Sequence, residues 1–448
     1  MSDRINQQRP NFGTRFGVIA TTVGSAVGLG NIWRFPYEAG ENGGGAFLIV
    51  YILAVLAIGV PVVCAEFAMG RASRLNIFGA FTNLAPHHGR RWAAIGALGI
   101  LSAILILSFY SVVAGWTFEY LVEAASGELS KFAGEARHSA FDAFSSSAGC
   151  VIWTLVVLSI NAVVVSRGVR KGIEKVSNIL MPLLFIILIA LCVNSLSLPG
   201  AGKGLEFLFA PDFSAITGDV VLSALGQAFF SLSLGVGTMM IYGSYFTDRT
   251  PIVRSAATTA TLDTLVAILA GIVIFPAVFS FGSSPEAGPR LVFEVMPDIF
   301  TRMPLGDVWA AAFFLLLALA SITSTISMSE ICVAFLCEQC KMSRRGAVAL
   351  STAIAMALGT LCALSFGLLD GFKIFGMTVF DLFDFATSNI LMPLGGMLTA
   401  IFVGWVLKRS TVDRQLRPAP RLAIDLVVFS LRFVAPAAIA LIFINGLI

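Results

Sequence analysis

Apolar runs separated by short charged breaks fill almost the whole chain. A helix that crosses a bilayer takes about 20 such residues, so the runs read as spanning helices. Eleven follow one another, roughly at 14–38, 43–71, 92–125, 148–166, 172–196, 217–246, 254–283, 307–337, 345–367, 376–407 and 421–447. The second is long enough to be tilted. The pattern predicts an all-α integral membrane protein of about eleven transmembrane helices, forming one transmembrane domain over residues 1–448.

The connections carry their basic residues alternately. Arg4, Arg9, Arg15, Arg71, Arg74, Arg90, Arg91, Arg167, Arg170, Lys171, Lys175, Arg249, Arg254, Lys341, Arg344, Arg345, Lys408, Arg409, Arg414, Arg417 and Arg421 fall on one side, 21 in all. The opposite connections hold six: Lys131, Arg137, Lys203, Arg290, Arg302 and Lys373. Lys and Arg accumulate in cytoplasmic loops. The N-terminus is therefore expected in the cytoplasm, and an odd number of spans puts the C-terminus outside.

Composition agrees with the pattern. The 448 residues are 57% hydrophobic and 12% charged, with a mean hydropathy of +0.89. A soluble domain carries about 25% charge, so lipid is the expected solvent for most of the surface. No basic patch interleaved with aromatics points to nucleic acid. The first fifteen residues are polar and basic, without the apolar core of a cleavable signal, so the first span is expected to direct its own insertion. No Asn-x-Ser/Thr acceptor occurs, in keeping with a bacterial inner membrane. Cys337 and Cys340 stand three apart, but no second pair completes a zinc set. His87, His88 and His138 all fall in connections, and no nucleophile–base pair suggests an enzyme.

Two spans are interrupted. The first contains Gly24-Ser25-Ala26-Val27-Gly28-Leu29-Gly30-Asn31, and the sixth Ser231-Leu232-Ser233-Leu234-Gly235-Val236-Gly237. Glycine clusters weaken a helix, and non-helical backbone inside a bilayer must be buried in protein or line a cavity. Taken singly, either cluster reads equally well as close packing through small residues. They occupy corresponding positions, however, in two five-helix halves, about 14–196 and 217–407, with 421–447 as an extra helix. Segment one starts inside and segment six outside, so the halves are expected to be inverted repeats. Paired interrupted helices in such halves point to a transporter's binding site, a rule drawn partly from the family named next.

The stretch Gly24-Ser25-Ala26-Val27-Gly28-Leu29-Gly30-Asn31-Ile32-Trp33-Arg34-Phe35-Pro36 resembles the first helix of the neurotransmitter:sodium symporter family. Glu41-Asn42-Gly43-Gly44-Gly45-Ala46-Phe47, Glu66-Phe67-Ala68-Met69-Gly70, Lys171-Gly172-Ile173-Glu174-Lys175, Gly226-Gln227-Ala228-Phe229-Phe230-Ser231-Leu232-Ser233-Leu234-Gly235 and Thr323-Ser324 follow in the family's order. The resemblance covers essentially the whole chain. It implies alternating access in a prokaryotic amino-acid transporter with the leucine-transporter fold, with helices one and six unwound and no obligate protein partner. Members often have twelve spans; eleven are predicted here.

The resemblance also implies roles. One sodium would sit on the Ala26 carbonyl and the side chains of Asn31, Ser231 and Asp263. A second would use the carbonyls of Gly24, Val27 and Ala320 with the hydroxyls of Thr323 and Ser324. The exposed ends of a broken helix suit such ligands, since carbonyls attract cations and amides attract anions. The amino acid would place its carboxylate at the Leu29 and Gly30 amides and the Tyr110 hydroxyl. Its ammonium would meet the carbonyls of Ala26, Phe230 and Ser231, with Ser233 nearby. Its side chain would face Ile106, Phe230, Val236, Ser324 and Met328, a mostly apolar lining. Arg34 and Asp384 would pair as an outer gate above the site, with Phe230 and Tyr110 as a lid. Arg9 and Glu338 would pair as an inner gate near Ser244 and Tyr245. Without the resemblance, Tyr110 reads as packing, and Thr323 and Ser324 as hydroxyls bonded back to their own helix.

Glu66, a carboxylate inside a span, is expected to accept hydrogen bonds from the freed backbone of the sixth helix. Glu330 looks buried and receives no role. Three positions depart from the family pattern: Phe12 replaces a usual tryptophan, Val236 a frequent phenylalanine, and Asp263 a common asparagine. Gly28 stands where monoamine carriers place an aspartate, so the substrate is expected to bring its own carboxylate. Asp263 supplies fixed negative charge, so chloride is not expected to be needed, and a proton on Asp263 during the return step makes proton antiport plausible. Pro182, ten residues after Gly172, removes a helix bond and would let the cytoplasmic half of the fifth span unwind. The expected function is sodium-coupled symport of a zwitterionic, hydrophobic amino acid. A proton-coupled carrier of the same architecture is the alternative, and a channel or receptor the more distant one.

Overall fold

Inside a bilayer a backbone must satisfy its own polar groups, and a run of Leu, Ile, Val, Ala and Phe does so as a helix. The computed structural model describes residues 10–85, 89–131, 135–286, 288 and 291–446. Its first span is a pair, α1 (Arg15–Ala26) and α2 (Gly30–Glu41), bent by 53°. Six of the nine unbroken spans among the described residues flank the second break: α3 (Gly45–Ser73), α4 (Arg91–Ser126), α5 (Ala148–Ser166) and α6 (Val169–Leu196) before it, and α9 (Ile252–Ser280) and α10 (Gly306–Glu338) after it. The broken pair between them is α7 (Gly218–Ser231) and α8 (Thr238–Gly243). The unbroken set ends with α11 (Arg344–Leu364), α12 (Val379–Val406) and α13 (Arg421–Asn445). Among the described residues, nine continuous helices and two interrupted ones occupy the eleven predicted segments.

Burial separates an inner set from an outer one. In its most apolar stretch α10 is 78% buried, against 33% for α6 and α13. Ile186 and Val193 on α6 and Leu426 on α13 are exposed large apolar residues, as expected of faces that meet lipid. α10 packs most extensively on α4, and α3 lies along both α8 and α9. Small residues allow these approaches. A Cβ on Gly70 would sit 2.0 Å from the Met240 carbonyl oxygen, and one on Gly243 2.7 Å from Phe67 Cα.

Two expectations need adjustment. The connection after α6 is not a plain loop: Ala201–Phe209 forms a helix lying on α9, where a Cβ on Gly204 would come within 2.4 Å of the Pro276 nitrogen. The fifth span is continuous from Val169 to Leu196 in this conformation, with a wide π turn over Val169–Glu174 and Pro182 inside it. The Glu174 carboxylate accepts the Gly13 and Thr14 amides at 2.9 and 3.2 Å, which docks the chain entering α1 onto that turn.

Candidate functional site

The first break begins where Val27 turns extended and stops α1. Its freed amides find side chains: Gly28 N–H donates to Asn31 Oδ1 at 3.0 Å and Leu29 N–H to the Tyr110 hydroxyl at 2.8 Å. The second break is made by left-handed backbone, with φ of +52° at Ser233, +82° at Gly235 and +88° at Gly237. Glycine takes such values without strain. At Gly235 it is also required by space, since a Cβ would lie 2.2 Å from the Met392 carbonyl oxygen. The Gly235 amide donates to Glu66 at 2.9 Å. Glu66 is fully buried and ties α3 to the interrupted helix as its position in the sequence led us to expect.

The two breaks meet through three polar side chains. Asn31 Nδ2 lies 2.9 Å from Ser231 Oγ and 2.8 Å from Asp263 Oδ1, and Ser231 Oγ donates to Asp263 Oδ2 at 2.6 Å. Asn31 and Asp263 are fully buried. A buried carboxylate is costly unless paired and hydrogen-bonded, and this one is held by α2 and α7 together. Oxygen donors of this kind suit a hard cation.

The residues assigned to a second ion also converge. Ser324 Oγ donates to the Val27 carbonyl at 3.3 Å, joining α10 to the first break. Thr323 Oγ1 donates to the Ala320 carbonyl at 3.0 Å, which is the back-bonding its sequence suggested. A Cβ on Gly24 would sit 3.5 Å from Thr323 Cβ. Among the described residues no cluster of three or more His, Cys, Asp or Glu suited to a metal occurs, and no disulfide joins the seven cysteines.

Between the breaks lies a cavity of about 30 Å3 lined by Ala26, Gly28, Gly30, Ile106, Tyr110, Phe230, Ser231, Ser233, Ser324, Met328 and Met392. A water needs about 10–15 Å3 of such space, so the site has room for only a few waters and is contracted in this conformation. The Phe230 ring closes on it: a Cβ on Gly30 would lie 3.1 Å from two of its carbons. Gly28 is equally tight, with Ser324 Oγ 2.5 Å and the Tyr110 hydroxyl 2.7 Å from a Cβ there. A vestibule of about 370 Å3, with Arg34, Glu38, Ser223 and Asn389 in its walls, lies on the other side of Phe230 and Met392, which line both spaces.

Two expectations, the place of Val236 and the partner of Arg34, are corrected here. Val236 is buried but lies outside the cavity lining; its carbonyl faces Gly99 instead. Arg34 does not pair with Asp384. It bonds Glu38 at 3.3 Å, one turn along α2, and lies 4.5 Å over the Phe230 ring. Asp384 accepts from Ser388, one turn along α12, at 2.9 Å. Each group takes the partner that its own helix supplies. Arg9 lies outside the described residues. Glu338 accepts from the Asn76 amide and Nδ2 at 2.7 and 2.8 Å. Tyr245 turns to Glu330, donating at 2.6 Å, and Glu330 pairs with Arg344 at 2.6 Å. Arg344 also donates to the Val165 carbonyl at 2.9 Å, so this cluster joins α8's end, α10, α11 and α5. Phe12 lies edge-on to Tyr242 and Tyr245, at centroid distances of 6.1 and 5.8 Å.

Sequence reasoning passed over Met392 and the Glu330–Arg344 pair. Met392 follows a polar stretch, Thr387-Ser388-Asn389, inside an apolar span; that polarity was a usable signal. Arg344 carried none beyond its charge.

Residues 9–141 and 135–448 match the model of the Sodium:neurotransmitter symporter family. An uncharacterized sodium-dependent transporter of Bacillus subtilis is 39% identical over 98% of both chains. The sodium-dependent dopamine transporter of Bos taurus is 25% identical over 89% of this chain and 63% of its own length. Among solved structures, MhsT in complex with L-phenylalanine superposes with a TM-score of 0.90 at 43% identity, covering 98% of this chain and all of that one.

Proposed function

The chain belongs to the sodium:neurotransmitter symporter family, a family of sodium-coupled membrane transporters rather than enzymes, and from that premise we propose that it carries a hydrophobic L-amino acid into the cell with two sodium ions. The observation that carries this reading is the junction of the two breaks. The Asn31 amide, the Ser231 hydroxyl and the Asp263 carboxylate lie within 3 Å of one another, Asn31 through its Nδ2, beside the Leu29 amide and the Tyr110 hydroxyl. The first group suits a cation; in the second the Tyr110 hydroxyl, which accepts the Leu29 N–H, has its own proton for a carboxylate. At the first site the Asn31 amide turns its oxygen from Gly28 toward the ion. The second ion takes the carbonyls of Gly24, Val27 and Ala320 with the Thr323 and Ser324 hydroxyls.

Ile106, Met328 and Met392 line the cavity and offer no partner to a charged side chain, whose burial costs several kcal/mol. The neighbour MhsT holds L-phenylalanine, which fits an apolar pocket. The contracted cavity must open by movement of Phe230 and Met392. Arg34, above the ring, swings from Glu38 to Asp384 when substrate is enclosed. Asp263 balances the cations, so chloride is not needed, and a proton replaces them on the return step. The two five-helix halves, 14–196 and 217–407, rock against each other with the N-terminus in the cytoplasm and the C-terminus outside.

Uptake in proteoliposomes tests the reading. A panel of amino acids is offered with sodium outside, or with potassium in its place. Sodium-dependent accumulation of leucine, phenylalanine or tryptophan supports it, and counterflow exchange separates a carrier from a channel. Equal uptake in potassium, driven by a proton gradient, would establish the proton-coupled alternative.

A further inference from the structure

A second cavity, of about 830 Å3, shares no lining residue with the one between the breaks. Its walls come from the start of α1, the first turns of α9 with the segment before it, and the link between α12 and α13. Three arginines reach it: Arg15, Arg249 and Arg254. Among the described residues no acidic one lines it, and none of the three has an ion-pair partner among them. Asp248, beside Arg249 in sequence, is engaged by Arg74 at 3.0 Å. The remaining lining is largely apolar, with Val18, Val253 and Leu416 among it.

The cavity is built rather than a gap between loops. Arg71 is 5% exposed and clamps two of its walls. It donates to the Thr250 carbonyl at 2.6 Å, and to Gln415 Oε1 at 2.7 Å and the Gln415 carbonyl. The chain enters α9 through Pro251 with no side chain capping the first amides, which adds positive dipole to the same wall. Cationic groups above an apolar floor, at the ends of helices on the face that the arginine count assigns to the cytoplasm, match an amphiphile. A phosphate head satisfies the guanidiniums bidentately, and acyl chains continue along Val18 and Val253 into the bilayer. Basic pockets between helices on this side suit anionic lipid heads.

We propose that this cavity is a binding site for one anionic phospholipid of the inner leaflet, whose phosphate bridges Arg15 on α1 to Arg249 and Arg254 at the start of α9. A free phosphate makes no use of the apolar floor. The bridge ties the cytoplasmic end of the first broken helix to its neighbour.

Native mass spectrometry of the full-length protein released from nanodiscs tests it, with phosphatidylglycerol or phosphatidylcholine of identical acyl chains as probes. The expected result is one phosphatidylglycerol retained at least about tenfold more tightly than phosphatidylcholine. R15Q/R249Q/R254Q should abolish the preference, Ala257→Phe should weaken retention by obstructing the cavity with all charges kept, and Arg345→Gln, outside the cavity, should change nothing. Should the triple variant misfold, Ala257→Phe decides alone. Equal retention of the two lipids, or a preference untouched by cavity filling, overturns the proposal. So does full competition by glycerol phosphate, which identifies a free-anion site. The readout needs neither sodium nor amino acid, so it fails or succeeds independently of the transport reading.

Discussion

Tyr110 and Gly28 carry the proposed substrate preference in single atoms. The Tyr110 hydroxyl accepts the Leu29 amide and keeps its own proton for a carboxylate. Tyr110→Phe removes one hydrogen bond to a charged group, worth about 1.5–3 kcal/mol. Its KM should rise roughly tenfold to a hundredfold, read in uptake assays, while an unchanged KM would place the carboxylate elsewhere. Gly28 has no room for a side chain beside Ser324 and Tyr110. Decarboxylated amines, lacking the anion that neither Gly28 nor its neighbours supply, should not compete with tracer. In the proposed scheme Asp263 carries the ion chemistry. Asp263→Asn should abolish sodium-driven uptake in gluconate and recover part of it when chloride is present. A silent Asp263→Asn, or wild-type uptake that needs chloride, would contradict the role given to the carboxylate.

At the scale of elements, the break in the sixth span rests on Glu66 and Gly235. Glu66→Ala leaves the Gly235 amide buried without its acceptor, at a cost of about 1–3 kcal/mol. A lowered thermal midpoint in detergent together with lost uptake is expected; an unchanged midpoint would show the tie to be dispensable. The spans themselves were legible in the sequence, because a bilayer leaves an apolar run no choice but a helix. The breaks were legible too, since glycine clusters inside such runs have few other uses. Helix Ala201–Phe209 was not, being too short and amphipathic to stand out from a connection. Pairings between spans were legible only in part. Nothing local in the sequence brings Arg344 to Glu330, or sets Met392 beside Phe230. For Arg34 the opposite happened: Glu38, four residues along the same helix, was a visible partner, and the longer-range Asp384 was expected instead.

For the whole molecule the claim is that the junction of two broken helices couples sodium to an amino acid. Its orientation rests on the unequal arginine and lysine count, which predicts that a tag on the N-terminus is protected in right-side-out vesicles and one on the C-terminus is cleaved. The inverse pattern would reverse the direction assigned to every gate. The most direct test of the coupling is accumulation of labelled phenylalanine by proteoliposomes under an imposed inward sodium gradient, with gluconate as the only anion. Concentrative uptake that collapses when potassium replaces sodium is the predicted result. Uptake of equal size in potassium, or no accumulation until chloride or an inward proton gradient is added, would contradict it.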